Sequence, residues 1–377
     1  MNVKTIQIHS RRDLKRFASF PNRLYKGNPY YVPQFVSDTV KTLDPASNPA
    51  YAFCKSALFL ALDDTGEVVG RVAAILNRRA NEYWHHNEVR YGWIDFIDDR
   101  DVSAALMEAV EAFAREEGAT SIAGPLGFAD FDPEGLLVEG YEQISTFSLP
   151  YHYPYYKEHL EALGFHKVID WLEFKVRIPD SVPEKITRIS SFVRERYGMR
   201  VRKITRRELK REKLDHKIFE LINRTYCKLF DFTVLTEEMI DAYVASYFPY
   251  LDLNLVTLVE DSQGELVAVG VSMPSITRAM QKAGGRLLPF GWFHLLRSLR
   301  WKHEPSVELL LIAVDPAWSG KGLIAPIFED LIPIYKRYGF EWAETNAELE
   351  NNTRVQTPWE FFDTEQNKRR RIYGKDL

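Results

Sequence analysis

Val307-Glu-Leu-Leu-Leu-Ile-Ala-Val-Asp315, followed after one proline by Ala317-Trp-Ser-Gly-Lys-Gly322, is the stretch on which the reading of this chain turns. An apolar strand pattern runs into a loop with two glycines, and an apolar-periodic helix closed by Gly339 follows. Glycine lets backbone approach a ligand closely. The free N–H groups and positive dipole end of the next helix then suit a phosphate. Taken alone, G-x-G is weak, because the spacing is neither that of a P-loop nor that of a three-glycine dinucleotide fingerprint. The surroundings carry more. A hairpin pattern, Leu255-Val-Thr-Leu-Val-Glu-Asp-Ser-Gln-Gly-Glu-Leu-Val-Ala268, precedes the strand, and a further strand, Phe340 to Thr345, lies behind the helix.

The same order occurs earlier in the chain. Leu58-Phe-Leu-Ala-Leu-Asp-Asp-Thr-Gly-Glu-Val-Val-Gly70 is a second acidic hairpin, Val89 to Asp98 a second apolar strand, and Gly118 closes a second helix. The offset between copies is 198 from Gly66 to Gly264, 217 from Asp98 to Asp315 and 221 from Gly118 to Gly339. The later copy has therefore gained residues in two places. Four lie at the Gly loop, and nineteen lie within Met273 to Pro305. The first copy carries Asp98-Asp-Arg-Asp-Val-Ser103 where the loop would be; its acids satisfy the helix dipole and repel a pyrophosphate. Coenzyme binding is expected in the second copy alone.

With these features the chain resembles the GCN5-related N-acyltransferases (GNAT), whose pyrophosphate loop has the pattern [Q/R]-x-x-G-x-[G/A]. Gly320 and Gly322 match the small positions, Ala317 stands where Gln or Arg is usual, and Asn352 matches the asparagine that starts the following helix. Tyr25-Lys-Gly-Asn-Pro-Tyr30, Gly124-Pro-Leu, Gly135-Leu-Leu-Val-Glu-Gly140, Tyr153-Pro-Tyr-Tyr156, Tyr226-Cys-Lys-Leu-Phe-Asp231 and Pro289-Phe-Gly-Trp292 are similar, as a set, to the YghO-like, bacterial ceramide synthase-like family. These matches run from about Phe17 to Leu377.

The resemblance implies an α/β fold of two tandem GNAT-like (acyl-CoA N-acyltransferase) domains, with mixed, mostly antiparallel sheets flanked by helices. The expected domains are 1–180, without a coenzyme loop, and 181–377, with one; the border falls near Ile178-Pro-Asp-Ser-Val-Pro183, where a strand pattern from Leu172 stops at two prolines. It further implies acyl transfer from acyl-CoA, as co-substrate, or from acyl carrier protein, to an amine. A sphingoid base is the implied acceptor. Acylation of a small polar amine, and a silent acyl-CoA binder, are the other readings. No metal is expected.

The implied coenzyme contacts are Ile312, Ala313 and Val314 of the strand, then Ala317, Trp318, Ser319, Gly320, Lys321, Gly322 and Leu323, with Asn352. Strand N–H groups aimed at a thioester carbonyl act as an oxyanion hole. The attacking amine must lose a proton, and Glu308, Glu344 and His303 are the candidate bases, with water as another acceptor. Many relatives carry a tyrosine seven residues after the Asn352 position to protonate the leaving thiolate; here Trp359 stands there. A thiolate of pKa about 8.5 leaves with little help, so the change fits an active enzyme and a silenced one alike.

Acceptor candidates are Asp130 and Asp132 beside the aromatic cluster containing Tyr153; loop capping and core-edge packing explain the same residues. The tract Leu287 to Trp301, with Arg286, Arg297, Arg300 and Lys302, reads as an interfacial helix, as an acyl channel using Trp292 and Phe293, or as core cover. Arg200 to Lys217 holds nine basic residues against three acids, and reads as a solvated connector or as a surface for anionic lipid.

Composition bounds the rest. With 377 residues, 45% hydrophobic and 13% aromatic, two cores are affordable by area, and a net charge of −4 gives no bias toward nucleic acid. The opening residues lack an apolar leader and no stretch of 18 apolar residues exists, so a cytoplasmic protein is expected, with attachment to the inner membrane face as its extension. Cys54 and Cys227 sit in no metal or redox spacing and read as buried thiols of a reducing compartment.

Overall fold

A computed structural model describes residues 3–377 and divides them into two compact units, the first made of residues up to 172 with 277–295 and 368–377, the second of residues 173–276 with 296–367. Met1 and Asn2, at the head of the leader reading, lie outside the described residues.

The first unit contains β1 (Lys4–Gln7), α1 (Arg11–Leu24), α2 (Val36–Leu43), β2 (Cys54–Leu62), β3 (Val68–Asn77), α3 (Arg78–Trp84), β4 (Glu88–Phe96), α4 (Arg100–Glu116), β5 (Ser121–Gly124), β6 (Leu136–Glu139) and α5 (Tyr155–Ala162). The next strand, β7 (His166–Arg177), leaves this unit after Leu172. The second unit then has α6 (Glu184–Tyr197), β8 (Arg200–Arg202), α7 (Arg206–Arg211), α8 (Leu214–Tyr226), α9 (Glu237–Tyr247), β9 (Val256–Glu260) and β10 (Leu266–Pro274). After α10 (Thr277–Ala283) and the first half of α11 (Gly291–Arg300), which belong to the first unit, come β11 (Ser306–Val314), α12 (Ile324–Tyr338), β12 (Trp342–Thr345), β13 (Glu348–Leu349) and α13 (Thr353–Gln356). The last strand, β14 (Thr364–Asp376), enters the first unit at Lys368.

Each unit repeats one plan. In the first, β1 to β4 are successive antiparallel neighbours, β4 pairs β5 in parallel, and β14 closes antiparallel on β5 with Tyr373 opposite Gly124. In the second, β8 to β11 are antiparallel, β11 pairs β12 in parallel, and β7 closes antiparallel on β12 with Trp342 opposite Arg177. Both acidic hairpins form as read: Asp63 Oδ1 accepts the N–H of Thr65 and Glu67, and Asp261 Oδ1 those of Gln263 and Glu265.

The cores follow the helical periodicity. Leu106, Met107 and Val110 of α4 bury against Val72, Ala74 and Ile94, while Ile327, Leu331 and Ile332 of α12 bury against Val259, Val267 and Val307. Both helices end at the expected glycines, Gly118 and Gly339, with φ of 74° and 77°. One reading changes: Cys54 is buried, but Cys227 is partly exposed at the end of α8.

Candidate active site

The strand β11 opens where the sequence places the coenzyme. Its parallel pairing with β12 covers Ser306 to Leu309 and stops, and its register to β10 slips by one residue between Leu309 and Leu311, a bulge at Leu310. Asn346 marks the parting, donating its backbone N–H to Leu309 C=O at 3.2 Å and its side-chain amide to Leu310 C=O at 3.4 Å. Beyond it the Asp315 N–H bonds Val267 C=O toward β10. Backbone groups alternate along a strand, so Ala313 also faces β10 and is 1% exposed, whereas the amides of Ile312 and Val314 face the side that β12 has left. There α8 contributes two hydroxyls, Tyr226 donating to Ile312 C=O at 2.9 Å and Thr225 to Val314 C=O at 3.4 Å. The N–H groups of Ile312 and Val314 point away from β10 on the side where the pairing with β12 has ended; Ala313 is corrected from coenzyme contact to strand pairing.

The loop continues this row. Asp315 caps a short 3-10 turn over Pro316–Trp318 and accepts the Ala317 N–H at 3.0 Å, while Arg224 holds its other oxygen at 3.2 Å. The Ala317 N–H is therefore used internally. Gly320 and Gly322 take φ of 75° and 84° and turn the chain into α12. Among the described residues none accepts the N–H of Gly320, Gly322, Leu323 or Ile324. The two glycines differ in surroundings: a Cβ on Gly320 meets nothing within 4 Å, whereas one on Gly322 lies 2.8 Å from Ile189 Cγ2 on α6. Lys321 sits 4.3 Å over the Trp318 ring, and Arg354 donates to Ser319 Oγ at 3.0 Å. Asn352 begins α13 without a side-chain cap bond. A helix dipole, four unpartnered donors and two bordering cations fit a pyrophosphate.

Of the candidate bases, the structure brings two together. Glu308 and Glu344 are register partners on β11 and β12, one residue before the strands' last pair. Glu308 is 3% exposed and accepts Ser275 Oγ–H at 3.0 Å. His303 is corrected. It lies before β11 begins, its Nδ1 donating to Ser298 C=O at 2.8 Å and its ring stacked 5.2 Å from Tyr338 at the far end of α12.

The sequence reading missed Glu348. Trp359, in the tyrosine's place, is 7% exposed among Phe328 and Phe362, and its indole N–H points at both Glu348 oxygens, 3.1 Å from each. Burial pushes the Glu348 carboxyl up to about 8, against the pull of the indole donor. The available signal was alternation, since Glu344, Asn346 and Glu348 fall on every second residue.

The first unit has closed the corresponding gap. Its β4 bulges at Trp93 and parts from β5 after Arg90, but Phe96 donates its N–H to Tyr156 Oη at 3.0 Å and accepts from Tyr155 Oη at 2.6 Å. Asp99 caps α4, taking the Asp101 N–H at 2.8 Å on its side chain and the Val102 and Ser103 N–H groups at 3.2 Å on its carbonyl. The Ile97 N–H bonds Val69 C=O as Asp315 bonds Val267, so Ile97, and not Asp98, is the structural counterpart of Asp315.

The acceptor candidates there serve the fold. Asp132 Oδ2 accepts the N–H groups of Phe128 and Ala129, a loop cap, and burial moves its carboxyl to about 6. Tyr153 packs 5.0 Å from Tyr25 in an aromatic cluster. A cavity of about 40 Å³ in this unit is bordered by Tyr25, Trp93, Asp95, Tyr151 and His152, and neither Asp130 nor Asp132 is among its walls. Trp292 and Phe293 are 49% and 43% exposed, which corrects the enclosed-channel reading. The basic run is largely structural: Arg202 bridges Glu212 and Glu260, Lys203 pairs with Asp330, and Arg206 binds the carbonyls of Phe248 and Leu251.

No family model matches the chain. It is 28% identical over 376 residues to protein YghO of Escherichia coli K12, covering 98% of this chain and 94% of that one. It is 26% identical over 389 residues to the bacterial ceramide synthase of Caulobacter vibrioides, covering 100% and 98%. Among solved structures, a tandem GNAT protein from the clavulanic acid biosynthesis pathway superposes with a TM-score of 0.57 at 14% identity, covering 100% of this chain and 98% of that chain. The repeated plan of the two units is that of a tandem GNAT fold, and over its whole length the chain is similar to YghO and to a bacterial ceramide synthase.

Proposed function

We propose that the protein is an N-acyltransferase that uses acyl-CoA in its second unit and acylates a lipid-like amine, a long-chain amino base being the acceptor that the whole-length similarity to a bacterial ceramide synthase supports. The observation that carries the reading is the continuous row of unpartnered donors, from Ile312 and Val314 on the parted strand to Gly320, Gly322, Leu323 and Ile324 at the start of α12. The helix end would hold the pyrophosphate, and the strand amides would hold the pantetheine arm and polarise the thioester carbonyl. A new C–N bond forms as the C–S bond breaks. The amine gives up a proton, for which Glu308 with its register partner Glu344 is the candidate acceptor, and the departing sulfur takes one. Glu348, protonated near neutral pH behind Trp359, is the candidate donor in place of the family's tyrosine. Acyl carrier protein as donor and a small polar amine as acceptor are the competing substrates.

The test is release of free thiol by purified protein supplied with palmitoyl-CoA or acetyl-CoA, with and without a long-chain amino base. Amine-dependent release from palmitoyl-CoA is expected. Equal turnover of both donors with a small amine would replace the acceptor; tight CoA binding without release from either would make the protein a silent binder.

A further inference from the structure

The stretch from Leu266 to His303 contains no Asp or Glu, yet holds Arg278, Lys282, Arg286, Arg297, Arg300 and Lys302, in a chain whose net charge is −4. Within it lies most of the large apolar surface the protein leaves in water. Leu288 is 76% exposed, Phe290 71% and Trp301 66%, and Leu287, Trp292, Phe293 and Leu296 are also exposed. The helix α11 keeps Leu295 and Leu299 half-buried and leaves its larger apolar residues outside. It buries its small residues, Gly291 and Ser298, with Ser298 Oγ bonded to Ser275 C=O at 3.1 Å, and presents Trp292, Phe293, Leu296 and Arg297 outward. A globular protein loses free energy by doing this unless the face is covered.

The preceding loop is held in the same attitude. A Cβ on Gly291 would stand 2.0 Å from the Arg286 carbonyl oxygen, and the Trp292 N–H bonds Leu287 C=O at 2.9 Å, so the turn cannot spread and its apolar side chains stay outward. Among the described residues no helix is long and apolar enough to cross a membrane. Apolar groups with cations around them and no acid in the stretch have the chemistry of an interfacial anchor, because aromatic rings enter the headgroup region while Arg and Lys meet lipid phosphates.

We propose that the segment Leu287 to Trp301 docks the protein on an anionic lipid surface, with Leu288, Phe290, Trp292 and Trp301 inserted and Arg286, Arg297, Arg300 and Lys302 on the headgroups. The surface is an attachment site separate from turnover, so its test does not depend on the proposed reaction. Intact protein is mixed with vesicles of phosphatidylcholine alone or with one third phosphatidylglycerol, and sedimented. Binding is expected to the anionic vesicles, falling as salt is raised. Arg297→Gln and Arg300→Gln are each expected to lower partitioning about fivefold. Leu288→Asp with Phe290→Asp lowers it more than tenfold, and thermal unfolding checks that these exposed substitutions leave the fold intact.

Insertion is read by quenching of tryptophan fluorescence with brominated lipid, which Trp301→Phe and Trp292→Phe should each reduce. No binding to anionic vesicles, binding unchanged by the Asp pair, or binding without quenching overturns the proposal. So does a protein that dimerises through this face, seen as a concentration-dependent mass abolished by the same Asp pair without vesicle binding by the wild type.

Discussion

Glu348→Gln tests the site from the carboxyl whose protonation burial shifts furthest. Burial holds the Glu348 carboxyl at about 8, and the ordinary value is 4.5. Between these values the folded protein keeps a proton that the unfolded chain has lost, so stability falls as pH rises through that window and is level outside it. The full difference corresponds to about 5 kcal/mol at 1.36 kcal/mol per decade, of which about 4 kcal/mol falls between pH 5 and pH 9. Gln keeps an oxygen for the Trp359 indole N–H but does not titrate.

Guanidinium unfolding of wild type and Glu348→Gln across pH 5 to 9, followed by tryptophan fluorescence, isolates this group, since the other titrations subtract. The variant should gain on the wild type by about 4 kcal/mol from the acid to the alkaline end. A flat difference would show that the carboxyl is not held neutral, and the assignment of Glu348 as proton donor would fall with it. In the thiol-release assay the same ionisation should cut wild-type turnover above pH 8. A variant that keeps full activity and the same alkaline limb would remove Glu348 from the reaction.

The two loop glycines should separate binding from folding. Gly320→Asp, with open space at its Cβ but a φ of 75°, is expected to abolish CoA binding in a calorimetric titration at a stability cost of about 1–2 kcal/mol, whereas Gly322→Ala should cost more, about 2–4 kcal/mol, because strain at its φ of 84° adds to the contact with Ile189, and Ile189→Ala should restore part of it; retained CoA affinity in Gly320→Asp would disprove the phosphate assignment. Deleting residues 368–377 should unfold the first unit although the segment is last in the chain, because Tyr373 is 1% exposed opposite Gly124 and Arg371 and Arg369 both bind Asp170. Limited proteolysis that leaves the first unit intact would contradict this.

The sequence was most legible where a short pattern fixes backbone. Acidic hairpins, apolar strands and glycine-closed helices appear in both copies within a residue or two of their expected ends, because turn chemistry and period are local. The bulge at Leu310 is not local. It depends on which of two neighbours each half of β11 pairs with, and the run Leu-Leu-Leu-Ile carries no mark of the change. The same limit explains His303 and Glu348. His303 is near Glu308 along the chain, but its ring is taken up by Ser298 and Tyr338, whereas Glu348 matters through a contact with Trp359 that forms on folding. Nor could amphipathic composition say which face of α11 meets the interior; there Gly291 and Ser298 are buried beside half-buried Leu295 and Leu299, while Trp292, Phe293 and Leu296 stay exposed.

The two units show how little chemistry separates a closed copy of this fold from an open one. Both bulge the fourth strand, both part it from the fifth, and both lead it into a helix. In the first unit two tyrosine hydroxyls occupy the amide and carbonyl of Phe96, and an aspartate supplies the acceptors that the helix end requires. Those donors have protein partners, so a phosphate or thioester there would have to displace them and leave buried groups unpaired, at about 1–3 kcal/mol each. In the second unit the hydroxyls of Tyr226 and Thr225 satisfy the carbonyls of Ile312 and Val314 but, being used as donors there, leave the strand amides open. A longer loop before α12 replaces the aspartate cap with Gly320 and Gly322, leaving the helix end without an internal anion. The scaffold is common to both units; what distinguishes the second is a set of donors left unsatisfied along one continuous line, which is the requirement for holding an anionic thioester without paying to displace anything first.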